Sequence, residues 1–128
     1  MDQAEKMLQV KTWALVGATD NQSKFGYKIF KFMIDRGFTV YPVNPGVTEV
    51  YGHKCYGTLE ELPVKPEAVD FVVPARVGEQ VVRDCAKLGI QNVWLQPGAD
   101  APSVVKLAEE LGLTVVTDCV MVRFGGPH

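Results

Sequence analysis

Apolar residues along this chain follow two alternating rhythms. Trp13 to Val16, Thr39 to Val43, Ala68 to Val73, Asn92 to Leu95 and Leu113 to Thr117 are short, mostly apolar runs, each the length of one strand. Between them the spacing turns helical. Phe25, Ile29, Phe32 and Met33 form one stripe; Val77, Val81, Val82, Cys85 and Leu88 a second; Val104, Leu107, Ala108 and Leu111 a third. Gly37, Gly89 and Gly112 each separate a stripe from the next run, where glycine often closes a helix. The main helix is therefore predicted over residues 25–36. Asn44-Pro45-Gly46 stops the second strand and Pro74 the third, because proline cannot extend a central ladder. The third run is almost wholly apolar, as expected of a strand covered on both faces. Strands alternating with helices imply a parallel sheet with right-handed crossovers. The expected fold is α/β: a single Rossmann-like doubly wound domain over residues 1–128, with a five-stranded parallel sheet.

Smaller elements fit around this frame. Met1 to Val10 reads as a short helix with Ala4, Met7 and Leu8 on its apolar side. Glu49 to Tyr56 reads as an extended excursion around Gly52. Thr58, with Glu61 three residues on, has the capping-box pattern for one turn that Pro63 closes. Asp100 is the expected N-cap of the last long helix, with Pro102 in its first turn.

Composition narrows the classes. The chain has 128 residues, 47% of them hydrophobic, enough for one core. No apolar run approaches the ~20 residues that span a bilayer. Residues 1–11 are charged and lack the apolar segment of a secretory signal, so a cytoplasmic location is expected. The net charge of −2 offers no basic excess for a nucleic-acid backbone. The three cysteines are odd in number and form no C-x-x-C pair, which argues against a disulfide framework or zinc site. Cys85 sits in an apolar stripe. Cys119, just past the last strand, reads either as a rim thiol or as a packed core residue. No Ser-His-Asp set, carboxylate pair or metal-spaced cluster stands out, so no catalysis is expected of the chain alone.

In a doubly wound sheet, ligands bind beyond the carboxyl ends of the strands. Four loops meet there: residues 17–24, 43–46, 73–76 and 96–99. The first carries the strongest signal. It runs strand, Gly17, polar loop, helix, so unpaired N–H groups and the positive end of a helix dipole face the loop. Such a site suits phosphate, and Lys24 adds a cation. The dinucleotide fingerprint does not fit. Thr19 replaces the second glycine, Gly26 comes late, and the second strand ends Val43-Asn44-Pro45 without an acid for a ribose. The Walker pattern also fails, since Ser23-Lys24 stands in the wrong order.

Gly17-Ala-Thr, Val43-Asn-Pro, Gly52, Val73-Pro74 and Trp94-Leu-Gln-Pro-Gly98, in this order, resemble the CoA-binding domain family. Its members are small stand-alone proteins similar to the CoA-binding domain of the succinyl-CoA synthetase alpha subunit. The resemblance implies CoA as ligand. It places Gly17, Ala18 and Thr19 against the nucleotide phosphates, within the loop that Gly26 closes. Lys24 would serve the pyrophosphate or 3′-phosphate. Val43, Asn44 and Pro45 would flank the ribose and 3′-phosphate. Val72, Val73 and Pro74 would border the adenine, and Gln96 and Gly98 would face the pantetheine arm. Stand-alone members often carry an arginine just after the third strand. Here Val73-Pro-Ala comes first and Arg76 follows. The ligases also use a histidine from a second domain. His53, in the excursion, and His128, at the terminus, do not match it, so ligase activity is not expected.

The first functional reading is a CoA- or acyl-CoA-binding protein, non-catalytic on its own. The alternatives are an NAD(P)-binding protein, either oxidoreductase fragment or redox sensor, and a partner subunit with a vestigial nucleotide pocket. The expected partner is a small nucleotide ligand, with no nucleic acid or membrane; a protein partner is not evident from the residues.

Overall fold

A computed structural model describes residues 2–123. Met1, where the first helix was expected to begin, lies outside them. Helix α1 spans Gln3–Met7, and Asp2 caps it by accepting a hydrogen bond from the Glu5 N–H at 2.8 Å. It is shorter than the residue 1–10 reading, although Ala4 and Met7 are its buried side as expected. Then follow β1 (Thr12–Val16), α2 (Phe25–Asp35), β2 (Thr39–Val43) and a hairpin of β3 (Glu49–Val50) and β4 (His53–Lys54). After a 3-10 turn at Leu59–Glu61 come β5 (Ala68–Phe71), α3 (Ala75–Leu88), β6 (Asn92–Leu95), α4 (Pro102–Glu110), β7 (Thr114–Thr117) and α5 (Val120–Arg123).

Five strands form one parallel sheet in the order β2-β1-β5-β6-β7. This is the doubly wound architecture that the alternating rhythms imply. Both neighbours of β1 are in register with its carboxyl end: Val16 lies beside Val43 on one side and Phe71 on the other. The chain leaves β1 toward one edge and returns to β5 toward the other, so the switch point lies between β1 and β5. Strand alternation sends side chains to two cores. Trp13, Leu15 and Trp94 pack with Ile29, Phe30 and Met33 of α2 and with Val120 and Met121 of α5. Ala14, Val16, Phe71, Val93 and Leu95 pack with Val82 and Cys85 of α3 and Val104 of α4. Trp13 and Trp94 meet edge to face, 6.2 Å between centroids, in the first core.

Several boundaries differ from the sequence reading, each for a physical reason. β5 ends at Phe71, not Val73. The Val72 N–H still reaches the Val16 carbonyl at 2.9 Å, but Val72 and Val73 are then only half-buried as the chain peels away. β7 begins at Thr114, because the Leu113 N–H is still bonded to Ala108 at the end of α4. Ala101, not Asp100, is the N-cap of α4; the Asp100 carboxylate accepts the Gly98 N–H within the rim loop instead. Thr58 stands at the expected cap of its turn but makes no side-chain cap bond. Pro42 sits on the edge strand, where its missing N–H interrupts no ladder, and its carbonyl accepts the Tyr56 N–H at 2.9 Å. Finally, Arg123 clasps both Asp118 (2.8 Å) and Asp2 (3.0 Å), which joins α5 to the start of α1.

Trp13 is wholly buried at the centre of the first core. Trp13→Ala is expected to cost on the order of 4 kcal/mol of unfolding free energy. Urea denaturation measures it, and a loss below about 1 kcal/mol would show that the site collapses around the gap.

Candidate functional site

At the carboxyl end of β1 the chain has no room for a side chain. Gly17 has φ +96°, and a Cβ there would collide with the Val72 carbonyl oxygen. Gly26, in the first turn of α2, presses on the Gly17 carbonyl in the same way. Hydrogen bonds lock the junction: the Gly17 N–H donates to the Val43 carbonyl at 2.9 Å, and Val72 to Val16. Gly17 is therefore needed to bring β1, β5 and α2 together, before any ligand is considered.

Beyond this junction lies a cleft of about 550 Å³, lined by Gly17, Thr19, Lys24, Val43, Asn44, Pro45, Val72, Val73 and Pro74, together with Val16 and Val77. Nine of the thirteen sequence-predicted site residues thus share one wall. Ala18 and Gly26 are buried behind it. Gly98 lies in an adjoining depression with Pro97 and Ala99, which shares Val72, Val73 and Pro74 with the main cleft. Val16 and Val77 were not foreseen as site residues. Val77 reads in sequence as part of a helix's apolar stripe, yet it is 37% exposed and faces the cleft. A second depression, about 500 Å³, runs along the β2 edge past Tyr41 and His53, away from the strand carboxyl ends.

The electrostatics of the cleft favour an anion. Lys24 is the N-cap of α2 and Pro74 the N-cap of α3; neither helix has a side-chain cap or an acidic residue in its first turn. Both caps line the cleft, so the positive ends of two helix dipoles, from opposite faces of the sheet, open on one space. Lys24 supplies a charge, and no carboxylate lines the cleft among the described residues. Lys28 does not join it; Lys28 lies with Tyr27 and Lys31 in a separate surface depression. Arg76 is exposed in the first turn of α3 and is not a lining residue. The loop itself is braced. Asn44 Nδ2 donates to the Ala18 carbonyl at 2.8 Å, Thr19 Oγ1 accepts from Asn21 N–H, and Asn21 Oδ1 accepts from Ser23 N–H.

Gln96 is a correction. It stands on the rim in sequence order but is wholly buried, and it does not face the cleft. Its Nε2 donates to both oxygens of Asp70, at 2.9 and 3.0 Å, and its Oε1 accepts the Val120 N–H at 3.2 Å. The pair ties β5, β6 and α5 together. Burial pushes the Asp70 carboxyl up to about 7, while the hydrogen bonds from Gln96 and the Phe71 backbone pull it back. The available signal was an acid inside the otherwise apolar run Ala68-Val-Asp-Phe-Val-Val73.

The remaining candidates lie elsewhere. Cys119 is 5% exposed and packed in the first core, so it is the packed residue rather than the rim thiol. Cys85 is buried against α4, and burial pushes its thiol up to about 12. His53 is exposed in the hairpin, its Nδ1 2.8 Å from the Tyr51 carbonyl. His128 lies outside the described residues.

Fold and cleft together define a Rossmann-like domain open at its switch point. Comparison with known proteins makes the assignment specific. Residues 11–125 match the model of the CoA binding domain, and the chain belongs to that family. It is 33% identical over 82 residues to an ADP-forming acetate–CoA ligase of Methanocaldococcus jannaschii, covering 64% of this chain and 12% of the ligase. It is 27% identical over 125 residues to ADP-forming acetate–CoA ligase I of Archaeoglobus fulgidus, covering 97% of this chain and 18% of the ligase. The chain thus spans less than a fifth of either enzyme. Among solved structures, a conserved hypothetical protein of Pyrococcus furiosus superposes with a TM-score of 0.82 at 38% identity, over 88% of this chain and 98% of that one. No described helix is long and apolar enough to cross a membrane.

The buried acid has a measurable consequence. Its folded value of about 7 lies above the ordinary 3.8, so the folded protein holds a proton that the unfolded chain releases between those values. The Asp70 contribution is fully present below about pH 4 and is lost as pH rises to 7, a change on the order of 4 kcal/mol. Asp70→Asn keeps an acceptor for Gln96 and is expected to remove this slope. Urea denaturation between pH 4 and pH 8 tests it; identical slopes for both proteins would show that Asp70 does not titrate there.

Proposed function

We propose that the chain binds CoA or an acyl-CoA in the switch-point cleft and catalyses no reaction on it by itself. The observation that carries this reading is the convergence of two uncapped helix N-termini and Lys24 on one cleft lined by no acid. CoA brings a pyrophosphate and a 3′-phosphate, and these match dipole ends and a lysine point charge. Val72, Val73, Pro74 and Val77 offer the flat apolar wall that adenine needs. The adjoining depression at Pro97, Gly98 and Ala99 continues from the same wall and gives the pantetheine arm a course along the rim. The ligase relatives support the choice of CoA, since this chain aligns to a part of each. Among the described lining residues the Thr19 hydroxyl and the Lys24 amine are the nucleophile types, and neither is hydrogen-bonded to a histidine or carboxylate that would activate it.

NAD shares the adenine, ribose and pyrophosphate of CoA but lacks the 3′-phosphate, and its sites hold the ribose with an acid that β2 does not provide. CoA is therefore expected to bind at least about tenfold more tightly than NAD, roughly 1.4 kcal/mol. Dephospho-CoA should fall between them. A calorimetric series with CoA, dephospho-CoA, NAD and NADP at one salt concentration measures the order. NAD binding as tightly as CoA would replace this reading with the NAD(P) one.

Lys24 gives the residue-level test. Its side chain is exposed, so Lys24→Glu should leave the melting temperature nearly unchanged. It should weaken CoA by about 2 kcal/mol, through loss of a charge-assisted contact and new repulsion. Unaltered affinity would take Lys24 out of the site. Gly17 is unsuited to this purpose: a side chain there breaks the β1–β5 junction whether or not a ligand binds.

A further inference from the structure

The hairpin between β2 and β5 holds a residue in a conformation it does not favour. Tyr51 and Gly52 alone join β3 to β4, and both have positive φ, +49° and +77°. Positive φ at both central positions marks a type I′ turn, whose first position favours asparagine, aspartate or glycine. Tyr51 is the one non-glycine residue with positive φ among the described residues. A bulky side chain there is sterically disfavoured and persists only where its surroundings hold it.

The side chain is fastened to α2. Its hydroxyl donates to Asp35 Oδ1 at 3.0 Å, and its ring meets Tyr27 edge to face with centroids 6.0 Å apart. Lys31 Nζ, itself 2.8 Å from Asp35, lies 5.5 Å from the Tyr51 ring centroid. The Tyr51 backbone N–H reaches a different element: it donates to Asp20 Oδ1 at 3.0 Å. Asp20 follows Thr19, a lining residue, in the loop that ends at Lys24. Two side chains thus take part in tethering this loop to the rest of the fold: Asn44 holds the Ala18 carbonyl, and Asp20 takes the hairpin's N–H. Asn44 lines the cleft; Tyr51 does not.

We infer that Tyr51 is a positioning residue for the switch-point cleft. Its ring, seated on α2, fixes the hairpin so that its N–H holds Asp20, and with it Thr19 and Lys24, in the geometry that receives the ligand. The ligand arm of this inference rests on the CoA reading above; the ordering of the loop does not.

Two pairs of variants separate positioning from simple hairpin stability. Tyr51→Asn keeps the backbone N–H and suits the type I′ turn better, but removes the hold on α2. Asp20→Ala removes the tether and leaves Tyr51 seated, whereas Asp20→Asn retains an acceptor oxygen. The readouts are melting temperature, amide hydrogen exchange of residues 18–24 in the ligand-free protein, and CoA affinity by calorimetry. Tyr51→Asn, in which the better turn residue offsets part of the lost ring contacts, is expected to stay folded, yet to exchange at least fivefold faster in the loop and bind CoA at least fivefold more weakly. Asp20→Ala should do the same in the loop and in affinity, and Asp20→Asn should restore both. Loop exchange unchanged in Tyr51→Asn and Asp20→Ala would overturn the inference, whatever happens to affinity. Should Tyr51→Asn fail to fold, the two Asp20 variants decide it. Wild-type protein that does not bind CoA would defeat the functional reading, and the exchange data alone would then settle the positioning role.

Discussion

The rim of this protein depends on one close approach, between the Gly17 backbone and the Val72 carbonyl. Without a side chain at Gly17, β1 and β5 stay hydrogen-bonded to their last residue and then part. Gly26 repeats the device one layer out, letting α2 settle on the Gly17 carbonyl. From that point α2 packs over one face of the sheet and α3 over the other. The cleft is the space left where the two paths diverge, so its position is a consequence of strand order and not of the residues that line it.

Polarity is divided across this junction. The cleft carries helix N-termini, a lysine and an apolar wall, and no acid lines it among the described residues. The one wholly buried carboxyl group among the described residues, Asp70, is kept in the sheet and matched by Gln96. Burying an acid is costly, and an amide that reaches both of its oxygens reduces that cost without adding a charge. Because Gln96 also accepts from the Val120 N–H, the same amide seats the start of α5. A residue on the rim by sequence order is thus a strut between three elements.

How far the sequence foretells this can be followed residue by residue. The bounds of β2 and β6 agree with the apolar runs, because glycine, proline and asparagine punctuate both ends. β5 reads two residues too long because apolarity cannot distinguish a fully buried strand residue from a half-buried one at a cleft; Val72 and Val73 are of the second kind. Nine lining residues were named in advance through the resemblance to the CoA-binding domain family, whose motifs Gly17-Ala-Thr, Val43-Asn-Pro and Val73-Pro74 fall on the loops beyond the strand ends. Gln96 was misplaced because its partner, Asp70, lies 26 residues away and is brought near only by the pairing of β5 with β6. The role of Tyr51 was hidden for a similar reason: a turn residue announces itself through glycine and asparagine, and here a tyrosine occupies the place.

The clasp of Arg123 on Asp2 carries a consequence of another kind. It brings the first and last described residues side by side, so a longer polypeptide would enter and leave this fold through a single seam. A block with one seam is portable. Close ends are the geometry that insertion into a host and circular permutation require, because neither then has to stretch the sheet.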